Sequence, residues 1–277
     1  MKTLYISDLD GTLLNKNERV SAYTAEVINR FVLDGGCFSY ATARSLATSS
    51  VVTGGLNLQA PVICNNGALI RDSKTGKILL SQNFDNDDVA AILQTLTSHN
   101  ISPIVYGFIE GVEKFTFIPH KMTAQQNIFL SNRQNDPRRR ETESEIDLCH
   151  GKIHNFACLG EATQLLPIHN HFKSSGRISS IYQKETYFDA HWCEILPTKA
   201  TKAAAALELK KILNCDRIIA FGDNMNDIPL FSVADESYAV ENAVPELKKL
   251  ATGIIAANED NGVAKYMAKS QSKGARK

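Results

Sequence analysis

Apolar residues fall along this chain with two different periods, and the regions they mark alternate. Short runs such as Leu4-Tyr5-Ile6, Cys37-Phe38-Ser39-Tyr40-Ala41 and Pro61-Val62-Ile63-Cys64 are apolar at nearly every position, as strands buried on both faces are. Between the first two, residues 22–33 place Val27, Ile28, Phe31 and Val32 at helical spacing, and Asp34-Gly35-Gly36 ends the pattern. Ser45 is placed as the N-cap of a helix running to about residue 53. Strands alternating with helices predict an α/β fold: a Rossmann-like parallel sheet between two helical layers.

The pattern changes near Phe84. Helices over 87–99, 122–132 and 161–172 are interspersed with strands over 102–109, 112–118, 152–159, 177–183 and 187–195, with a Glu110-Gly111 turn joining two of them. Hairpins with helices on one face make an α+β unit. The expected division is therefore a core of residues 1–83 and 194–277 with an α+β domain, 84–193, inserted into it. The α/β pattern resumes after Pro197 with an alanine-rich helix over 201–213, a buried strand over 217–221, a helix over 228–233 and a strand over 236–240. The small, polar residues 270–277 are expected to fray.

Four of the predicted core strands end in polar residues. The first runs into Asp8-Leu9-Asp10-Gly11-Thr12, the second into Thr42-Ala43-Arg44, the third into Asn65-Asn66-Gly67, and the later one into Gly222-Asp223-Asn224-Met225-Asn226-Asp227. Ligands of open α/β sheets bind at the carboxyl ends of the strands. Asp8 and Asp10, one residue apart at a strand tip, repel one another unless a cation neutralises them or one holds a proton, which points to a metal site.

Composition narrows the function classes. The 277 residues carry 30 Lys and Arg against 30 Asp and Glu, so no overall charge draws the chain to nucleic acid or to an anionic membrane. The basic run Arg138-Arg139-Arg140 is followed by Glu141, Glu143 and Glu145 and is expected to be a solvated helix face or loop. No apolar run of about 18 residues is present, and the chain enters a strand without a signal-peptide pattern, so a cytoplasmic location is expected. Six scattered cysteines without a CxxC are expected to be reduced. The His and Cys residues of the inserted segment, from Cys149 to Cys193, fit no standard structural zinc spacing.

Four of these stretches carry a resemblance. Asp8-Leu9-Asp10-Gly11-Thr12, Thr42 in Ala41-Thr42-Ala43-Arg44, Lys202 before the alanine-rich helix, and Gly222-Asp223-Asn224-Met225-Asn226-Asp227 resemble the four motifs of the haloacid dehalogenase superfamily. The spacing and the inserted domain are similar to its Cof-type phosphatases, which carry an α+β cap between the second and third motifs. The resemblance covers nearly the whole chain, and its first and fourth motifs are specific. It departs at Ala43 and Ala203, where the family usually has glycine. The methyl group of Ala43 would stand where the backbone approaches a phosphate.

The resemblance implies a Mg2+-dependent phosphomonoester hydrolase of a small phosphorylated metabolite such as a sugar phosphate. By resemblance, Asp8 is the nucleophile and Asp10 the general acid and base, while Thr42, Ala43, Lys202 and Asn226 serve the phosphate, Lys202 being preferred to Lys199. The implied metal ligands are Asp8, Asp10, Asp223 and Asp227. Specificity is expected in the cap, where His120, Lys121, Arg177 and Tyr187 are candidates. A monomer or small homo-oligomer is expected. Two rival readings stand beside this one: a phosphotransferase or mutase acting on sugar phosphates, and a non-catalytic sensor of a phosphorylated ligand.

Overall fold

The computed structural model describes residues 1–176, 178–185 and 188–274. The chain divides into two units, Met1–Ser81 with Lys199–Lys277, and Gln82–Thr198. The first opens with β1 (Thr3–Ser7), α1 (Ala22–Leu33), β2 (Cys37–Tyr40), α2 (Leu46–Val52), β3 (Val62–Cys64), β4 (Leu69–Arg71) and β5 (Ile78–Ser81). The second contains α3 (Asn86–Ser98), β6 (Ile104–Ile109), β7 (Val112–Phe117), α4 (Ala124–Ser131), β8 (Arg139–Glu141), α5 (Glu145–Leu148), β9 (Lys152–Gly160), α6 (Ala162–Ser175), β10 (Ile178–Lys184) and β11 (His191–Pro197). The first unit then resumes with α7 (Lys202–Ile212), β12 (Arg217–Gly222), α8 (Ile228–Val233), β13 (Glu236–Val240), α9 (Pro245–Leu250), β14 (Gly253–Ile255) and α10 (Gly262–Gly274).

In the first unit, β14, β13, β12, β1 and β2 lie side by side in a parallel sheet, so the chain's opening strand is flanked by one from its last quarter. Both faces of this sheet are covered. Leu4 and Ile6 of β1 and Ile218 and Ala220 of β12 are fully buried on one face with Ala205, Ala206 and Leu209 of α7 and Leu230 of α8. Tyr5 points the other way, where its ring meets Phe31 of α1 at 5.0 Å, and Phe221 meets Tyr266 of α10 at 5.4 Å. Burying each such Leu or Ile is worth about 2 kcal/mol, which fixes the register of β1 and therefore where its carboxylates emerge.

The third apolar run departs from its expected place. Among the described residues, β3 joins the large sheet through a single bridge between Ala41 and Ile63, and it pairs antiparallel with β4, which pairs with β5. β4 and β5 are too short to show a period. Ser45 caps α2 by accepting a hydrogen bond from the Thr48 amide. The last helix continues to Gly274, and the remaining expected frayed positions lie outside the described residues.

The second unit holds a sheet in the order β10, β11, β9, β6, β7, β8. One face packs against α3 and α6 through Val105, Phe156, Ile195, Ile92 and Ile168, and the other carries Ile104, Phe115 and Phe117 against Leu130 of α4. Because β11 keeps pairing with β10 as far as Pro197, the chain leaves this unit later than residue 194. The expectation for the basic run is corrected. Arg139 and Arg140 belong to β8, and Arg138 is buried and bonded to Asp136 and Glu113, because β8 adds to the sheet beside β7 and draws the run against its edge. The expected strand positions Arg177 and Tyr187 lie outside the described residues.

Candidate active site

The carboxyl ends of β1 and β12 and the start of α7 place four charged side chains together. The Asp8 amide donates to the Phe221 carbonyl (3.0 Å), carrying the ladder one residue past β1 and fixing where the Asp8 side chain emerges. Lys202, the first residue of α7, donates from Nζ to Asp227 Oδ1 (2.7 Å) and lies 2.8 Å from Asp8 Oδ1. Asp227 also closes a turn, since its Oδ2 accepts from the backbone amides of Asp223 (3.0 Å) and Asn224 (3.2 Å). Asp8, Asp223 and Asp227 each offer a carboxylate oxygen within 4.8 Å of the others.

Close backbone approach makes this possible. Gly11 sits at φ +75°, and a Cβ there would lie 2.4 Å from Asp223 Oδ2. At Gly222 a Cβ would lie 2.6 Å from Asp227 Oδ2. Any side chain at either position would push a carboxylate out of the group. Thr12, just after Gly11, donates to Asp223 Oδ1 at 2.8 Å and fixes its rotamer.

The cluster is electrostatically unbalanced. Asp8 is 5% exposed, and Asp227 is fully buried. Burial raises the Asp8 carboxyl well above the ordinary range, with the neighbouring charges of Asp227 and Asp223 adding to the effect and Lys202 opposing it. Burial, with Asp227 second, pushes Asp223 up to about 6. Burial also works against the Lys202 ammonium, but Asp227 and Asp8 outweigh it and hold its proton more tightly than usual. Three carboxylates face one ammonium, so the group is short of positive charge unless carboxyls take up protons or another cation enters. An all-oxygen donor set suits a hard divalent cation, and the residues present fit one.

Asp10 is not in this group. Its carboxylate is gripped by Arg44, which donates from Nε at 2.8 Å and from Nη2 at 2.6 Å, and the same guanidinium reaches Glu18 at 2.6 Å. Asp10, expected among the metal ligands, has its carboxylate outside the trio, pointing to a cation of the protein's own near solvent. Thr42 is fully buried beside this grip, its Oγ1 accepting from the Arg44 amide at 3.1 Å, and Ala43 between them is half-buried. Asn226 is half-buried, with an Oδ1 that finds no partner among the described residues. Lys199 is exposed.

Thr12, Arg44 and Glu18 were not singled out by their own chemistry. Thr12 and Arg44 stand inside the motif stretches, so position offered a signal. Glu18 offered none, because it lies in a polar connection. In the second unit, His120 and Lys121 pair with Glu143 and Glu145 at exposed positions. The one group of three or more His, Cys, Asp or Glu found among the described residues is the aspartate trio. All six cysteines are free thiols, and Cys158 and Cys193 lie opposite each other on β9 and β11 inside the apolar core.

A family model described as haloacid dehalogenase-like hydrolase matches residues 5–267. The chain belongs to that family. Among relatives of this haloacid dehalogenase-like hydrolase, a 5-amino-6-(5-phospho-D-ribitylamino)uracil phosphatase of Bacillus subtilis is 32% identical, covering 96% of this chain and 97% of its own. An HMP-PP phosphatase of Serratia proteamaculans is 26% identical over 96% and 94%. In fold, a haloacid dehalogenase-like hydrolase of B. subtilis superposes with a TM-score of 0.79 at 22% identity, covering 97% of this chain and 99% of that one. The chain is thus an enzyme of the phosphatase kind, with a parallel α/β core and an aspartate cluster able to hold a metal. No helix of the described residues is long and apolar enough to cross a membrane.

Proposed function

We propose that this phosphatase is a Mg2+-dependent phosphomonoester hydrolase that works through an aspartyl-phosphate at Asp8. Its substrate in this reading is a small phosphorylated metabolite, a sugar phosphate or similar monoester. The observation that carries the reading is the convergence of Asp8, Asp223 and Asp227 within 4.8 Å around one lysine. Hydrolysis of a phosphate monoester is intrinsically among the slowest of biological reactions, so a catalyst must above all neutralise charge and position a nucleophile.

Asp8, Asp223 and Asp227 would hold the magnesium ion, which supplies charge neutralisation and orientation to the phosphoryl group. Its presence also favours ionised Asp8, whose carboxylate must be the nucleophile. An Asp8 oxygen forms a bond to phosphorus while the bond to the ester oxygen breaks and that oxygen takes a proton from Asp10. In the second half Asp10 removes a proton from water, which attacks phosphorus, and the bond to Asp8 breaks to release phosphate. Lys202 supplies positive charge beside the phosphoryl oxygens, while Thr42, the Ala43 backbone and Asn226, with its open Oδ1, orient them. In this scheme Arg44 is a positioning residue. It holds the Asp10 carboxylate at both oxygens, so Asp10 must leave that grip and take up a proton from solvent before it can give one to the ester oxygen.

The name of one relative, a phosphatase of a 5-phospho-D-ribitylamino compound, agrees with a monoester of a small metabolite. The test is Asp8→Asn, read by release of free phosphate in magnesium. Turnover is expected to vanish while the circular dichroism spectrum and melting remain those of a folded chain. Retained turnover would overturn the mechanism, and substrate loss without free phosphate in the parent enzyme would favour transfer to a second acceptor.

A further inference from the structure

The segment that follows Asp8 is held from far along the chain. Residues 9–14 turn sharply, with the amides of Thr12, Leu13 and Leu14 all donating to the Leu9 carbonyl at 3.2, 3.0 and 2.9 Å. The carbonyls of this turn take their bonds elsewhere. Asn242 Nδ2 donates to the Gly11 carbonyl at 2.7 Å, and Asn258 Nδ2 donates to the Leu14 carbonyl at 2.8 Å. The two asparagines are themselves joined, since Asn242 Oδ1 accepts from the Asn258 amide at 3.1 Å. Asn242 lies just past β13 and Asn258 just past β14, so both strands beyond β12 send a side-chain amide back to the loop of β1.

These bonds lead to the aspartate trio. The Gly11 carbonyl and the Thr12 amide belong to one peptide plane, and Asn242 at its oxygen and Leu9 at its nitrogen pin that plane at both ends. On one side of it stands Gly11, where a Cβ would lie 2.4 Å from Asp223 Oδ2, and on the other Thr12, whose hydroxyl donates to Asp223 Oδ1 at 2.8 Å. The Asp223 carboxylate is therefore lodged against a peptide that Asn242 holds. The same loop also holds the main chain of Asp223, because the Val244 amide donates to its carbonyl at 2.9 Å.

The fold asks little of Asn242. Its side chain is exposed, where water replaces a lost partner readily, and the buried core of the sheet takes nothing from it. The carboxylate trio asks more. Three like charges must be kept where one ion can take an oxygen from each, and magnesium tolerates little departure from octahedral geometry. Groups that orient a metal's ligands contribute to its affinity without touching it.

We propose that Asn242, with Asn258 behind it, is a positioning residue for the metal centre. Its amide fixes the Gly11–Thr12 peptide, and that peptide fixes the Asp223 carboxylate for an ion shared with Asp8 and Asp227. The proposal rests on the cation centre of the phosphatase reading and adds to it two residues outside all four motif stretches.

The full-length protein, freed of metal by chelator, is titrated with Mg2+ by calorimetry, and its melting is followed in chelator alone. Asn242→Ala should bind Mg2+ about fivefold more weakly than the parent, the factor that one net hydrogen bond is worth when its loss falls on binding. Its melting temperature in chelator should stay within about 2 °C of the parent's, which a merely structural role would not allow alongside the weakened binding. In turnover, the Mg2+ concentration giving half-maximal phosphate release should rise by the same factor. Asn29 supplies a matched control, because it makes the same pair of bonds elsewhere in this unit, Nδ2 donating to the Gly55 carbonyl at 2.7 Å and Oδ1 accepting from the Asn57 amide at 2.7 Å. Asn29→Ala should bind Mg2+ as the parent does. Parent-like binding by Asn242→Ala, or a loss no greater than that of Asn29→Ala, would overturn the positioning role even in an active phosphatase. A fivefold loss confined to Asn242→Ala, with no phosphate released from any ester by the parent, would leave the positioning role standing and defeat the phosphatase reading. No saturable Mg2+ binding by the parent would overturn the cation centre and this role with it.

Discussion

Lys202 in the core and Arg138 in the inserted unit are both buried cations flanked by two carboxylates, yet their surroundings respond in opposite ways. Arg138 grips Asp136 through Nε and Nη2 while its amide donates to the same side chain, and the Asp136 carboxyl is held below its usual range chiefly by those bonds. Lys202 offers a single ammonium to Asp8 and Asp227, a third carboxylate stands beside them, and Asp8 and Asp223 are both raised. The fork of an arginine settles its carboxylate in place, whereas a point charge among three aspartates does not. The first arrangement stabilises a fold. The second stores a demand for positive charge where a phosphoryl group would sit.

That contrast can be attacked in order of expected effect. Lys202→Met removes the core's buried cation and should reduce turnover by a factor of at least about 10^3, the scale of losing an electrostatic contact to a transferring group. Steady-state phosphate release measures it, and a loss below tenfold would place Lys202 outside the chemistry. Arg138→Met leaves Asp136 and Glu113 without their cation and should cost about 3 kcal/mol in urea unfolding, the usual price of breaking a buried ion pair. A change near zero would mean that the Arg138 pairing is solvated in effect.

Asp223 carries a pH signature. Its carboxyl rises from an ordinary 3.8 to about 6 in the folded, ion-free chain, so the folded state holds that proton more tightly than the unfolded one. Its contribution to stability is therefore full below about pH 4 and is lost as pH rises through about 6. In chelator, Asp223→Asn should be more stable than the parent above pH 6, by about 2 kcal/mol, with the difference fading toward pH 4. Saturating Mg2+ should reverse the sign, because only the parent gains from binding. Melting curves at several pH values, with and without magnesium, decide it.

The smallest effect belongs to Arg44, a cation that bridges Asp10 and Glu18 with part of its side chain in water. Arg44→Met should change stability by less than about 1 kcal/mol, as partly exposed pairs do, while lowering kcat because Asp10 is no longer held. An unchanged kcat would remove Arg44 from its positioning role.

Much of the core was legible because its strands and helices alternate in period, and because DxDGT and GDxxND both follow buried apolar runs. What escaped reading was set by contacts distant in sequence. β4 and β5 are too short for their apolar residues to show a period, and β8 is charged at every position, so only their neighbours make them strands. Arg138 looked solvated beside so many glutamates, and its burial follows from β8 pairing with β7. The aspartate trio could be anticipated, since strand tips of a parallel sheet share one edge. That Asp10 would turn to Arg44, and that Glu18 would share the same guanidinium, could not, because side-chain direction within a motif depends on a partner 34 residues away.

The most direct test of the central claim is a calorimetric titration of the chelator-treated protein with Mg2+ near neutral pH. One ion is expected to bind per chain in the parent and in Arg138→Met, and none measurably in Asp223→Asn. Equal binding by Asp223→Asn and the parent, or no saturable binding by either, would contradict a cation centre built from Asp8, Asp223 and Asp227.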